Sequence, residues 1–204
     1  MDGERQLLGH QEGRHVLNGQ ATPSAAQRGF NLIEVLISIV VLGVLISLAG
    51  PSFFEFMQNS QIRTAADAMQ NGLQSARGAA IARNLPVRIT IGPLSAWSIT
   101  DSAGTVIEAR VAEEGTPNVG VNVLPVGAIS VTFSALGAVT ANADGTASVT
   151  QMDFVNPSGG ACQSASGPMR CLRVLVTGGG SVRMCDPRFD PAPTPPTPRD
   201  PRAC

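Results

Sequence analysis

The chemistry open to this chain is limited by the side chains it lacks. Its histidines, His10 and His15, lie upstream of a long uncharged run, and it contains no lysine and no tyrosine. Beyond that run the groups able to bind or react are Cys162, Cys171, Cys185 and Cys204, a set of arginines, and scattered carboxylates. A nucleophile–histidine pair, a His-bearing zinc site and a Schiff-base lysine are therefore excluded there. No paired Asp/Glu motif stands out for acid–base work. The expectation is a protein that is not an enzyme and uses no cofactor and no metal.

One carboxylate is out of place. Glu34 sits at the start of the run Val35–Gly50, which carries no charge, and Phe30, Leu32 and Ile33 extend the apolar stretch upstream. Together they supply about 20 residues, the length needed to cross the hydrocarbon core of a bilayer. A carboxylate in such a segment is costly and usually has a partner or a role. Arg28 precedes the run on the side that positive-inside orientation assigns to the cytoplasm. An ordinary secretory signal has a shorter apolar core ending at a small-residue cleavage site; here helical periodicity continues past Pro51.

The stretch Arg28-Gly29-Phe30-Asn31-Leu32-Ile33-Glu34-Val35 resembles the type IV prepilin motif. That resemblance implies cleavage by a prepilin peptidase between Gly29 and Phe30, N-methylation of Phe30, and a role in assembly for Glu34. Asn31 stands where Thr is usual and Val35 where Leu is common. A chain starting at Phe30 carries an α-amine, and Glu34 could neutralise the amine of a neighbouring subunit. Such pairing would set axial register and remove two charges from an apolar core.

These residues require a long helix to position them. From residue 52 to 84, Phe53, Met57, Ile62, Ala65, Ala66, Met69, Leu73, Ala76, Ala80 and Ile81 recur mostly at three- and four-residue steps, predicting one apolar stripe under a sheet. Pro86 and its restriction of Leu85 should end the helix. Gly43 and Pro51 are expected to weaken or kink the rod.

From Val87 the pattern changes to short β-type runs: 87–91, 97–100, 105–111, 121–124, 129–133, 147–154, 171–176 and 181–185. Segments 101–104, 143–145 and 178–180 read as hairpin loops. With no helix-length crossover between the runs, an antiparallel sheet is favoured. The fold class is thus α+β, a long N-terminal helix with a transmembrane first half, packed on a small antiparallel β-sheet head. Expected boundaries are 1–29, a leader that is removed; 30–51, the transmembrane part; 52–85, the amphipathic part; 86–188, the head; and 189–204, a Pro-rich tail. The head is similar to the FimT/GspH group of minor pilins and pseudopilins. The matching stretches are Ala82–Val87, the Trp97 strand, Val131–Phe133 with Gly137, Cys171–Val174 and Gly180–Cys185. Trp97 is read as a core residue.

An extracytoplasmic head makes the cysteines read as disulfides. Three connectivities are open. Cys162–Cys171 with Cys185–Cys204 closes two local loops and is favoured; Cys171–Cys185 across a hairpin is the rival. The second loop would hold the Pro-rich tail against the head.

The net charge of −1 and the charged fraction of 14% give no bulk attraction to nucleic acid. The C-terminal region is locally basic, with Arg170, Arg173, Arg183, Arg188, Arg199 and Arg202 set against Asp186, Asp190 and Asp200. FimT-like pilins of naturally competent bacteria bind DNA through a Gly-Arg-x-Arg loop. The matching positions here are Gly180-Ser181-Val182-Arg183, with Ser181 at the first Arg position. Arg170, Arg173, Arg183 and Arg188 are the candidate phosphate contacts; a merely solvated basic face is the alternative.

The resemblance implies a minor pilin of type IV pilus assembly. Its partners would be other pilins, prepilin peptidase, the inner membrane and, as an added activity, DNA. The head would be periplasmic, and extracellular once assembled. A GspH-like pseudopilin of type II secretion is the rival function. A membrane-anchored binding module that never assembles is the alternative of another class.

Overall fold

The computed structural model describes residues 30–189 and 200–204. The expected leader with Gly29, and most of the Pro-rich tail with Arg199, lie outside them. The chain divides into two compact units, Met1–Gly43 and Val44–Cys204.

Helix α1 (Leu32–Arg83) opens in the first unit. Its first turn closes when the Asn31 carbonyl accepts from the amides of Glu34 (3.0 Å) and Val35 (3.2 Å). Side chains from Phe30 to Gly43 are all exposed. The backbone is helical at both Gly43 and Pro51.

In the second unit α1 is the spine of the core. Ile62, Ala65, Ala66, Met69, Leu73, Ala76 and Ala80 are buried, three- and four-residue steps that keep one face turned to the sheets. The expected stripe is too long at both ends, because Phe53, Met57 and Ile81 remain exposed. Periodicity marks the apolar side of a helix, not the reach of what covers it. The helix stops at a left-handed cap: Asn84 takes φ 52°, and the Leu85 amide reaches back to the Ala80 carbonyl at 3.3 Å. Pro86 follows this cap without making it.

The strand ladders are antiparallel, and they fall into two sheets. β1 (Val87–Ile91), β2 (Trp97–Asp101), β3 (Val106–Arg110), β5 (Ser130–Phe133) and β6 (Val139–Thr140) form a five-stranded sheet in the order β3-β2-β1-β5-β6. β4 (Gly120–Leu124), β7 (Gln151–Val155), β8 (Leu172–Val176) and β9 (Val182–Cys185) form the other in the order β4-β7-β8-β9. Alternation sets the inward faces: Val87 and Ile89 on β1, Met152 and Phe154 on β7, Leu172, Val174 and Val176 on β8. All of these join one core with the helix residues.

Two strand expectations need correction. The run 147–154 forms a strand only from Gln151; Ser148 makes an isolated bridge to Ser130 instead. The turn at Ala143-Asp144-Gly145 closes no hairpin, since it joins β6 of one sheet to β7 of the other. Turn chemistry reverses a chain without saying which sheet receives it. The two-residue β6 is too short to leave a periodic signal.

Candidate functional site

Two regions carry the residues that could act. The first is the start of α1. Phe30 and Glu34 are exposed, four residues apart, and the Glu34 side chain has no ion pair or hydrogen bond among the described residues. The helix is long and apolar enough over this stretch to cross a membrane, and none of its most apolar window is buried.

The second region is built on β8, β9 and the loops around them. Cys162 is bonded to Cys171, and Cys185 to Cys204, so the bridges close the two local loops. The first loop drives Met169 into the core, fully buried. It is tied to the helix where the Arg170 amide donates to Asn59 Oδ1 at 2.7 Å. The second bridge seats the chain end on β9. The Asp186 amide donates to the Arg202 carbonyl (2.8 Å), and Ala203 is buried.

Asp186 is the hub of this arrangement, with its side chain only 4% exposed. One carboxylate oxygen accepts from Arg170 Nε at 2.9 Å and the other from the Arg188 amide at 3.0 Å. Burying a carboxylate without such donors would cost several kcal/mol. Sequence reasoning misses Asp186. Its signal is an acid set directly between a cysteine and a proline in a tract of arginines.

The four candidate DNA arginines do not form one free cluster. Arg170 is held by Asp186. Arg173 Nε donates to Asp153 Oδ1 at 2.6 Å. Arg183 lies on the same outer face of the sheet, two register positions away, and donates to the Cys204 carbonyl at 2.8 Å. Arg188 donates to Gln163 Oε1 at 3.2 Å and stands over the Phe189 ring, which also takes Arg202 at 4.0 Å. Hydrogen bonding to Asp200 raises the Arg202 pKa and lowers that of Asp200.

A groove of about 620 Å³ runs beside this hub. Phe56, Leu172 and Met184 line its apolar part, and Arg63, Arg170 and Arg202 are its cations. Among the described residues there is no free cysteine and no group of three or more His, Cys, Asp or Glu placed to hold a metal ion.

The comparison that decides the family covers more than half of the chain. Residues 65–180 match the model of the type II transport protein GspH, and residues 24–50 match the prokaryotic N-terminal methylation motif. The chain belongs to the GspH family. As a GspH-family protein it is a type IV pilin-like subunit of the minor pilin or pseudopilin kind, and its motif and apolar helix point to membrane anchoring. Two crystal structures of the type IV minor pilin FimU from Pseudomonas aeruginosa are similar. They are 16% and 15% identical, cover 63% and 60% of this chain and 91% and 90% of their own, and give a TM-score of 0.41 in each case. No curated protein matches the chain.

The GspH match begins inside the buried part of α1 and ends at the Gly178–Gly180 loop, so it takes in the helix–sheet core of the head. The Cys185–Cys204 bridge and the chain end fall beyond it.

Proposed function

We propose that this GspH-family protein is a minor pilin of a type IV pilus, cut between Gly29 and Phe30 and methylated on Phe30. On this reading residues 30–51 hold the subunit in the inner membrane with its head in the periplasm. Glu34 then neutralises the amine of an adjoining subunit as the filament grows. The observation that carries the reading is the methylation motif on an exposed, apolar helix start whose one carboxylate has no partner among the described residues of its own chain. Gly43 and Pro51 bracket the stretch proposed to loosen on assembly. The role is structural, without catalysis. Replacing Glu34 by Ala should leave processing and head folding intact and remove the protein from sheared filaments. Undiminished incorporation would refute the role.

The description of the matching family favours a second reading, a pseudopilin of a type II secretion system. Loss of the gene separates the two: impaired twitching or piliation supports the pilus, and impaired export of folded proteins supports secretion. A membrane-anchored module that never assembles would keep its full size when prepilin peptidase is deleted.

DNA binding is an added activity on either reading. Phosphates would have to compete with the Asp153, Asp186, Gln163 and Cys204 oxygens that already hold the arginines. A mobility shift that weakens steeply with salt would support DNA binding, since released counterions dominate such complexes. No shift at low salt ends it.

A further inference from the structure

The groove beside Asp186 lies at the end of the head nearest the apolar span. Phe56, Asn59, Ser60 and Arg63 form its helix wall, and the start of β8 and the end of β9 form its sheet wall. The Arg170 amide on Asn59 Oδ1 fixes that level. Phe53, Phe54 and Phe56 are exposed beside and below it, where the apolar run of α1 ends. Arg63 follows Phe56 by seven residues, about 10 Å along the axis. Helix side chains lean toward the N-terminus, here toward the span, and the headgroup layer adds about 5–8 Å beyond the hydrocarbon. A guanidinium leaning back from Arg63 reaches that layer.

The groove is lined by three arginines, Arg63, Arg170 and Arg202, against one acid, Asp186. Arg202 is held by two hydrogen bonds to Asp200. Arg63 is 70% exposed and stands 3.6 Å from Asp67, beyond hydrogen-bond range. Arg170 gives Nε to Asp186, and its terminal nitrogens make no hydrogen bond among the described residues. Glu55, one turn below Asn59, is not part of the lining. Two guanidinium groups with unused donors thus stand over a floor of Phe56, Leu172 and Met184.

We propose that this groove holds the headgroup of an anionic phospholipid of the bilayer that the helix enters, with Arg63 and Arg170 on its phosphate. Guanidinium donors match phosphate oxygens in pairs, and Asp186 fixes Arg170 through Nε while leaving its terminal nitrogens to the groove. Free phosphate or a nucleic-acid backbone has nothing to lay on Phe56, Leu172 and Met184. A phospholipid has its glycerol and first acyl methylenes attached to the phosphate. With its phosphate toward Arg63 and its chains toward Phe53, the lipid keeps the orientation of its neighbours in the leaflet and need not leave the bilayer. Such a lipid holds the head in one attitude on the membrane and is released when the subunit is drawn into a filament. The inference rests on membrane anchoring, not on which filament the subunit joins.

The test places the full-length chain in nanodiscs of phosphatidylcholine mixed with a phosphatidylglycerol that carries a diazirine in its headgroup. Irradiation should label the peptides bearing Arg63 and Leu172, and unlabelled phosphatidylglycerol should compete where extra phosphatidylcholine does not. Arg63→Gln should cut that labelling by about fivefold, the equivalent of about 1 kcal/mol per basic residue at an anionic surface. Arg63 is loosely held, so this variant keeps the head folded, which an unchanged unfolding midpoint checks. Arg170→Lys, which keeps the charge beside Asp186 but loses the fork, should also reduce labelling. Arg83→Gln removes an equally exposed charge at the far end of α1, about 30 Å away, and should change nothing. Label confined to the helix below Asn59, or undiminished by Arg63→Gln, would overturn the groove site while leaving anchoring standing. Equal competition by inorganic phosphate would overturn the lipid as its occupant. A chain that is not retained in the discs at all would count against anchoring itself.

Discussion

The Trp97 indole lies across the helix at Gly72. A Cβ placed on Gly72 would fall 2.9 Å from Trp97 Cζ2 and 3.0 Å from Cε2. The glycine is thus the helix's half of the joint between α1 and β2, and its absent side chain lets the largest ring in the chain close over the backbone. Gly72→Ala should gain about 1 kcal/mol of helix propensity but lose about 2 kcal/mol to overpacking, a net fall in stability. Gly78, on the same helix, is the control, because a Cβ added there would meet nothing within 4 Å. Gly78→Ala should raise stability by about 0.5–1 kcal/mol. Thermal unfolding of the two variants should move in opposite directions.

The sheets meet at a second close approach. Gly180, between β8 and β9, has φ +77° and packs on the Gly137 carbonyl, which also accepts from Arg77 Nε at 3.0 Å. The Val139 amide donates to the Gly178 carbonyl at 2.9 Å across the same seam. Gly180→Ala should cost about 2–3 kcal/mol, from a left-handed conformation and overlap with a carbonyl. Arg77→Ala should cost less, with faster hydrogen exchange at the Val139 amide as its signature.

The two disulfides should be separable by their consequences. Loop-closure estimates give each about 3 kcal/mol. Cys162→Ser with Cys171→Ser frees the loop that buries Met169 and should lower the unfolding midpoint of the whole head. Cys185→Ser with Cys204→Ser should leave the core intact and make the segment closed by that bridge sensitive to added protease. Limited proteolysis followed by mass mapping distinguishes these outcomes.

The turn at Asp144 should respond to acid. The Thr146 hydroxyl, then the Thr146 amide and the Arg88 guanidinium, hold the Asp144 carboxyl below the usual aspartate range. Its contribution is therefore present above the unfolded value, about pH 3.9, and lost as pH falls through the lowered folded value. A carbon-detected titration should find Asp144 below that figure, and Thr146→Val should move it upward.

What can be read from the sequence depends on the range of the interaction that decides it. The buried helix positions from Ile62 to Ala80 and most of the strand positions follow from periodicity, which local chain geometry enforces. The exposure of Phe53 and Met57 does not, because it depends on where the sheets end. The Ala143–Gly145 turn is visible as a turn, yet its transfer between sheets is a long-range choice. The arginine tract is visible too, but its pairing is not: Arg173 meets Asp153 across a strand ladder, and Arg170 meets an Asp186 that folding buries. The Gly72–Trp97 contact leaves only a glycine in a helix and a tryptophan in a strand, with nothing in the spacing to join them.

The proposed role stands or falls on processing at the front of the helix. Intact-mass and N-terminal peptide analysis of the protein from its own membranes is the direct measurement. The expected result is a chain beginning at Phe30 and carrying one methyl group on that amine, with residues 1–29 gone. A chain that starts after Gly50, or one that keeps Met1, would contradict it.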